Sequence, residues 1–331
     1  MPTRDAFNWI SSSEPVITPQ QAAGHDLVSV KDPSVVWYGG KWHVFMTTFD
    51  AKAGWTMAYK SFRNWSQADA APQYMLDQSA IGPGYRAAPQ VFYFAPQKLW
   101  YLIFQSDGGG SYSTTTNIDD PSSWSKPKNF YSSMPQIIRD NIGQGYWVDF
   151  WTICDDAKCY LFSSDDNGHL YRSETSLRNF PNGFDNSTVI AMADPNRFDL
   201  FEASNVYRLG DSGSYLLLVE AIGSDGRRWF RSWTSPHISG PWAPLADTEA
   251  APFARSNNVH FPSGAWTKDI SHGEMIRAGN GQQLTIDPCS QNKFLYQGLD
   301  PSAGGDYGLL PYRLGLLTQQ GPDPLDAYCV R

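Results

Sequence analysis

Three carboxylates recur at the start of strand-like hairpins, and together they have the chemistry to cleave a glycosidic bond. Asp32 lies in Lys31-Asp32-Pro33-Ser34-Val35-Val36, ahead of a turn and the apolar run Lys41-Trp42-His43-Val44-Phe45-Met46. Asp149 lies in Trp147-Val148-Asp149-Phe150-Trp151-Thr152-Ile153, ahead of Lys158-Cys159-Tyr160-Leu161-Phe162. Glu202 lies in Phe201-Glu202-Ala203-Ser204-Asn205-Val206-Tyr207, ahead of Ser214-Tyr215-Leu216-Leu217-Leu218-Val219. Hydrolysis of an unactivated acetal needs one carboxylic acid to protonate the leaving oxygen. A second carboxylate activates water or attacks directly. A third acid can raise the pKa of the general acid, because like charges resist sharing one site. A single acid at such a place is ordinary turn or cap chemistry. Three at matching points argue for a catalytic centre.

Matching points converge only in an architecture that repeats around an axis. A fourth unit runs Ala88-Pro89-Gln90-Val91-Phe92-Tyr93-Phe94 then Leu99-Trp100-Tyr101-Leu102-Ile103-Phe104, with Ala88 where Asp32 stands. A fifth, Ser271-His272-Gly273-Glu274-Met275 then Gln283-Leu284-Thr285-Ile286, brings a histidine. Outer strands recur at Gly54–Ser61, His169–Glu174 and Arg228–Ser235, and no long amphipathic helix interrupts them. Five units of this kind predict an all-β, five-bladed β-propeller. Residues 1–27, with Ser11-Ser12-Ser13 and Pro15, read as an irregular lead-in packing on the propeller, and residues 28–331 as the propeller itself. The stretch 306–317 returns to strand character and is expected to close the ring. Asp165-Asp166-Asn167-Gly168 reads as a hairpin turn, since the glutamate of a calcium loop does not follow it.

The chain has 331 residues, a net charge of −8, 18% charged and 15% aromatic residues, including 13 Trp and 17 Tyr. The acidic balance argues against nucleic acid or an anionic membrane as partner. The longest apolar run, Tyr215–Val219, is too short to span a bilayer. Met1–Asp5 has no apolar leader, as in a secreted chain whose signal has been removed. Four cysteines allow three pairings. Cys154 and Cys159 flank a hairpin tip, so a cross-strand bridge suits them, and Cys289–Cys329 would then tie down the chain's end. Two disulfides favour an oxidising, extracellular setting. Four buried free thiols are the alternative.

The motifs above, with Gly84-Tyr85-Arg86-Ala87-Ala88-Pro89-Gln90-Val91 and Glu220-Ala221-Ile222-Gly223-Ser224-Asp225-Gly226, resemble the signature segments of glycoside hydrolase family 62. The resemblance runs from about Phe7 to the end. It implies an inverting α-L-arabinofuranosidase that removes side chains from arabinoxylan. On that likeness Asp32 is the general base, Glu202 the general acid and Asp149 an ionised carboxylate that keeps Glu202 protonated. It implies a calcium ion near the axis, with His272 as a ligand partly through water. Tyr307 matches an aromatic of the family's sugar pocket. Lys31 is a candidate to contact a sugar hydroxyl or hold Asp32 ionised. Gln105 and Glu220, closing their second strands, are expected to face the pocket. A monomer acting on arabinoxylan and its oligosaccharides is the expected form. The alternatives are a related propeller β-xylosidase or arabinanase, a non-catalytic sugar-binding propeller, or retaining transfer on fructosides.

Overall fold

Apolar hairpins pair into five sheets, and the computed structural model, which describes residues 6–330, arranges them as the five blades of a propeller. Blade one joins Leu27–Tyr38, Lys41–Asp50, Gly54–Phe62 and Gln73–Met75, from the axis outward. Blade two joins Arg86–Phe94, Leu99–Ser106, Gly109–Thr115 and Lys128–Asn129, and blade three Val148–Cys154, Lys158–Ser164, His169–Ser176 and Val189–Ala193. Blade four is built on Glu202–Leu209, Ser214–Ile222, Arg228–Ser235 and Ala243–Thr248. The inner two strands of each blade are nearly continuous apolar runs because both of their faces lie against other sheets. Aromatic rings fill the wedges between blades. Trp151 of blade three donates its indole N–H to the Val206 carbonyl of blade four at 3.0 Å and packs edge-on against Tyr207.

The fifth blade departs from the sequence reading in two places. Ser271–Met275 pairs with Lys293–Gly298, not with the segment at 283–286. Thr285–Ile286 instead runs parallel to Arg208 and Leu209 on the axial edge of blade four. The ring is closed by Trp9–Ser11, which pairs antiparallel with Arg313–Gln319 and parallel with Val259–His260. The serine run had suggested irregular chain there. Phe7, Trp9 and Ser11 are all buried, and this period of two outweighs local turn preference once a partner strand is present. Trp9 also donates its indole N–H to the Phe253 carbonyl at 2.6 Å. Met1–Asp5 lies outside the described residues.

Helix is scarce. Gln136–Asn141 is the single α-helix among the described residues, and no helix is long and apolar enough to cross a membrane. Both disulfides pair as the spacing predicts. Cys154 and Cys159 face each other across a hairpin of blade three, and Cys289–Cys329 anchors the last turn, Pro324–Tyr328, to the connection before Lys293.

Candidate active site

The inner strands of four blades start with the same backbone device. Asp32, Ala88, Asp149 and Ala203 all adopt left-handed φ, between 46° and 58°. Each sits in a register shift of its hairpin: between Lys31 and Ser34, Ala87 and Gln90, Val148 and Trp151, and Glu202 and Asn205. Such a conformation costs a residue with a Cβ roughly 1–3 kcal/mol, held here by the surrounding sheets. The bulge turns two successive side chains toward one end of the axis instead of opposite faces. Lys31 with Asp32, and Val148 with Asp149, accordingly line one cavity.

This register corrects the sequence reading. Ala203, not Glu202, is the counterpart of Asp32 and Asp149. Glu202 stands one residue earlier, where the other blades have Lys31, Ala87 and Val148. All three acids reach the same cavity, but the acid of blade four comes from the neighbouring position of the bulge.

The cavity, about 590 Å³, is lined by those acids with Lys31, Gln105, Asp166, Arg228 and His272. Trp55, Tyr85, Tyr146, Phe201 and Tyr307 supply aromatic walls. Lys31 donates to the Tyr307 hydroxyl at 2.7 Å, and its ammonium lies 4.8, 4.6 and 5.0 Å from the ring centres of Trp55, Tyr307 and Tyr312. Its charge is held firmly, with its pKa raised despite burial by the Tyr307 hydroxyl and the Asp32 carboxylate. The Asp32 backbone N–H donates to Gln297 at 2.9 Å. Burial would raise the Asp32 carboxyl, but Lys31, then His272, the Thr47 hydroxyl and Arg228 together hold it below the usual range. Asp32 is ready to act as a carboxylate.

The other acids divide the remaining protons among themselves. Glu202 and Glu220 both bind Arg228, the latter at 2.6 Å. Against the pull of burial, the guanidinium keeps Glu202 below its ordinary pKa. Asp149 accepts the Ala203 N–H at 2.9 Å, yet burial, then the Glu202 and Asp32 charges, push it well above the carboxylate range. Burial and the same Glu202 charge push Asp166 up to about 9. Arg228 thus favours the charged form of Glu202, while burial and crowding favour the protonated form of Asp149. An arginine bound to one of several crowded carboxyls decides which one keeps the charge.

The predicted contact residues fare unevenly. Lys31, Gln105 and Tyr307 line the cavity. Gln105 is committed at both ends, accepting from the Asp149 N–H at 2.9 Å and donating to Tyr85. Glu220 does not face the cavity. It is fully buried behind Arg228, accepting from the Ser271 hydroxyl and the His272 N–H, and burial pushes it up to about 7. Arg228, Ser271 and the His272 backbone close around its carboxylate and separate it from the cavity. Arg228 and Asp166 escaped the sequence reading. Arg228 had one signal, a cation opening an aromatic-rich strand; Asp166 looked like turn chemistry.

His272 points Nδ1 at Asp32, 3.3 Å away, and at Asp149, 3.7 Å away. No three His, Cys, Asp or Glu side chains gather as a metal-binding group among the described residues. Calcium takes six to eight oxygen ligands, and one imidazole beside two carboxylates would leave most of that shell to water. No step below runs through a metal.

The model of the family described as glycosyl hydrolase family 62 matches residues 8–318. Over 313 residues the chain is 44% identical to alpha-L-arabinofuranosidase C of Cellvibrio japonicus (strain Ueda107), covering 94% of this chain but 47% of that protein. The chain thus spans about half the length of the curated relative it matches. The catalytic domain of a family 62 alpha-L-arabinofuranosidase from Coprinopsis cinerea superposes with a TM-score of 0.92 at 60% identity, covering 95% of this chain and 98% of that one. A family 62 hydrolase in complex with xylotriose gives 0.91 at 50% identity, covering 95% and 98%.

Proposed function

This chain belongs to glycosyl hydrolase family 62, and from that membership we propose that it is an inverting α-L-arabinofuranosidase acting on the arabinose side chains of xylan. The observation that carries the reading is the pairing of an ionised Asp32 with an arginine-held Glu202 across one aromatic-walled cavity. Asp32, stabilised as an anion, takes a proton from the attacking water on one face of the arabinofuranose ring. Glu202, once protonated, gives its proton to the departing xylose oxygen. Asp149 bridges the two, donating or accepting at a sugar hydroxyl while its charge state responds to Glu202. Lys31 and Tyr307 hold ring hydroxyls, and Tyr146 and Phe201 stack on xylose units beyond the arabinose; that all four line the cavity supports these roles. That a family 62 hydrolase 50% identical to this chain was solved in complex with xylotriose supports a xylan-type substrate.

Two disulfides support an extracellular place of action.

The test is to incubate the protein with wheat arabinoxylan and follow products by proton NMR. Arabinose should appear first as the β-anomer, the inverted product. Initial release of the α-anomer sinks the inverting mechanism, and release of xylose in place of arabinose sinks the substrate assignment.

A further inference from the structure

The hairpin tip Asp165-Asp166-Asn167-Gly168 is built to carry a carboxyl over the cavity. Asp165 is its anchor: fully buried, it accepts from the N–H groups of Asn167 at 2.8 Å and His169 at 3.2 Å. It also bonds the His169 Nδ1 at 2.7 Å and accepts from the Tyr171 hydroxyl at 2.8 Å. The Asp165 carbonyl accepts the Tyr146 N–H at 3.2 Å, and a Cβ on Gly145 would stand 1.8 Å from that oxygen. The loop is therefore clamped from both sides. Asp166, next in the chain, takes a left-handed φ of 53° that two local hydrogen-bond anchors enforce. It lines the cavity within hydrogen-bonding reach of Glu202.

Oδ1 of Asp166 is buried and meets no donor among the described residues. A buried bare carboxylate oxygen beside a second carboxylate is the costliest arrangement such a group can adopt. With one proton between them, the same two groups form a hydrogen-bonded acid–carboxylate pair in place of two facing anions. Arg228 holds Glu202 as the charged member.

We propose that Asp166 is a positioning residue of the hydrolysis: it stores the proton of Glu202 in the empty site and returns it when substrate displaces the arginine contact. This rests on the reaction proposed above. The O–H bond of Asp166 breaks, an O–H bond forms on Glu202, and the pair keeps one negative charge. Glu202 then passes that proton to the leaving oxygen, which takes the electrons of the broken C–O bond. The attacking water gives its proton to Asp32. Solvent afterwards removes the proton from Asp32 and restores one to the Asp166–Glu202 pair, so no co-reactant is needed.

Asp166→Asn retains the side chain's size and a hydrogen-bond donor but has no acidic proton to give. The variant should lose about ten- to a hundredfold in kcat on arabinoxylan, an effect within the range of general acid catalysis. Its loss on 4-nitrophenyl arabinofuranoside should be under about threefold, because that leaving group needs little protonation. The basic limb of its kcat/KM profile on arabinoxylan should move to lower pH by about one unit, and Asp166→Glu should restore part of both. Equal losses on the two substrates, or an unmoved basic limb, overturn the inference and leave Asp166 a turn residue. If the unaltered protein releases no arabinose from either substrate, the proposed reaction has failed instead.

Discussion

Two buried polar clusters lie on the same inner strands, a few residues apart, and they are built on opposite principles. The one along the axis is balanced. Arg277 and Glu274 form an ion pair at 2.6 Å, too poorly aligned for a hydrogen bond, and Arg277 also donates to the carbonyls of Val35 and Val91 at 2.9 and 2.8 Å. Glu274 accepts the Val35 N–H, and Gln90 exchanges two hydrogen bonds with the backbone of Thr152. One cation meets one anion, and their other contacts staple blades one, two and five together. The cluster at the mouth is unbalanced. Four carboxylic acids, Asp32, Asp149, Asp166 and Glu202, line a cavity with two permanent cations, Lys31 and Arg228. The deficit is met by protons. A cluster that must hold exchangeable protons at neutral pH is suited to acid–base catalysis; one that has spent its charges on neighbours is suited to holding the ring closed.

The sharpest way to break this comparison is to exchange its consequences. Asp32→Asn should cost about a thousandfold in kcat on both arabinoxylan and the nitrophenyl substrate. The unfolding midpoint should barely change. Glu202→Gln should be comparably severe on arabinoxylan and much milder on the nitrophenyl substrate. A thermal scan that finds either variant unfolded would make the mouth a structural cluster after all.

Glu274→Gln should do the reverse. It strands the Arg277 guanidinium in the interior, a change that typically costs about 3–5 kcal/mol. A clear drop in the denaturation midpoint is expected, with kcat near normal in the fraction that remains folded. A variant with unaltered stability and lost activity would contradict the division.

The smallest effect concerns pH. Asp149 and Asp166 hold protons in the folded site that the unfolded chain releases near pH 4. Between that pH and about 9 the native state binds more protons than the unfolded one, so these groups make stability fall as pH rises. Asp166→Asn removes one such group. At pH 7 it should unfold roughly 1–3 °C higher than the unaltered protein, with a shallower decline toward pH 9. Chemical or thermal melts across pH 5–9 test this; a variant less stable than the parent at pH 7 refutes the stored proton.

Much of this could be read in the residues. Leu99-Trp100-Tyr101-Leu102 and its counterparts are apolar enough to be nothing but inner strands, and their repetition points to blades. Cys154 and Cys159 stand opposite each other because a short hairpin leaves them little choice. Glu202 was found but misplaced by one position, because a bulge shifts register without changing composition. Thr285–Ile286 was assigned to blade five, though either neighbouring blade could pair with so short a strand. Trp9–Ser11 hid behind serines whose turn preference is worth less than the partner strand they meet.

What the sequence determined by itself, then, is whatever depends on near neighbours: the period-two strands, the hairpins, the two bridges, and the presence of acids at the strand starts. The tertiary structure decided what depends on sums over distant neighbours. Arg228, far from Asp149 in the chain, settles which acid keeps a proton by binding Glu202. Asp166 becomes more than a turn residue because blade three sets its carboxyl beside blade four's acid. Coulomb interaction and desolvation act through space, and only the closed ring fixes those distances.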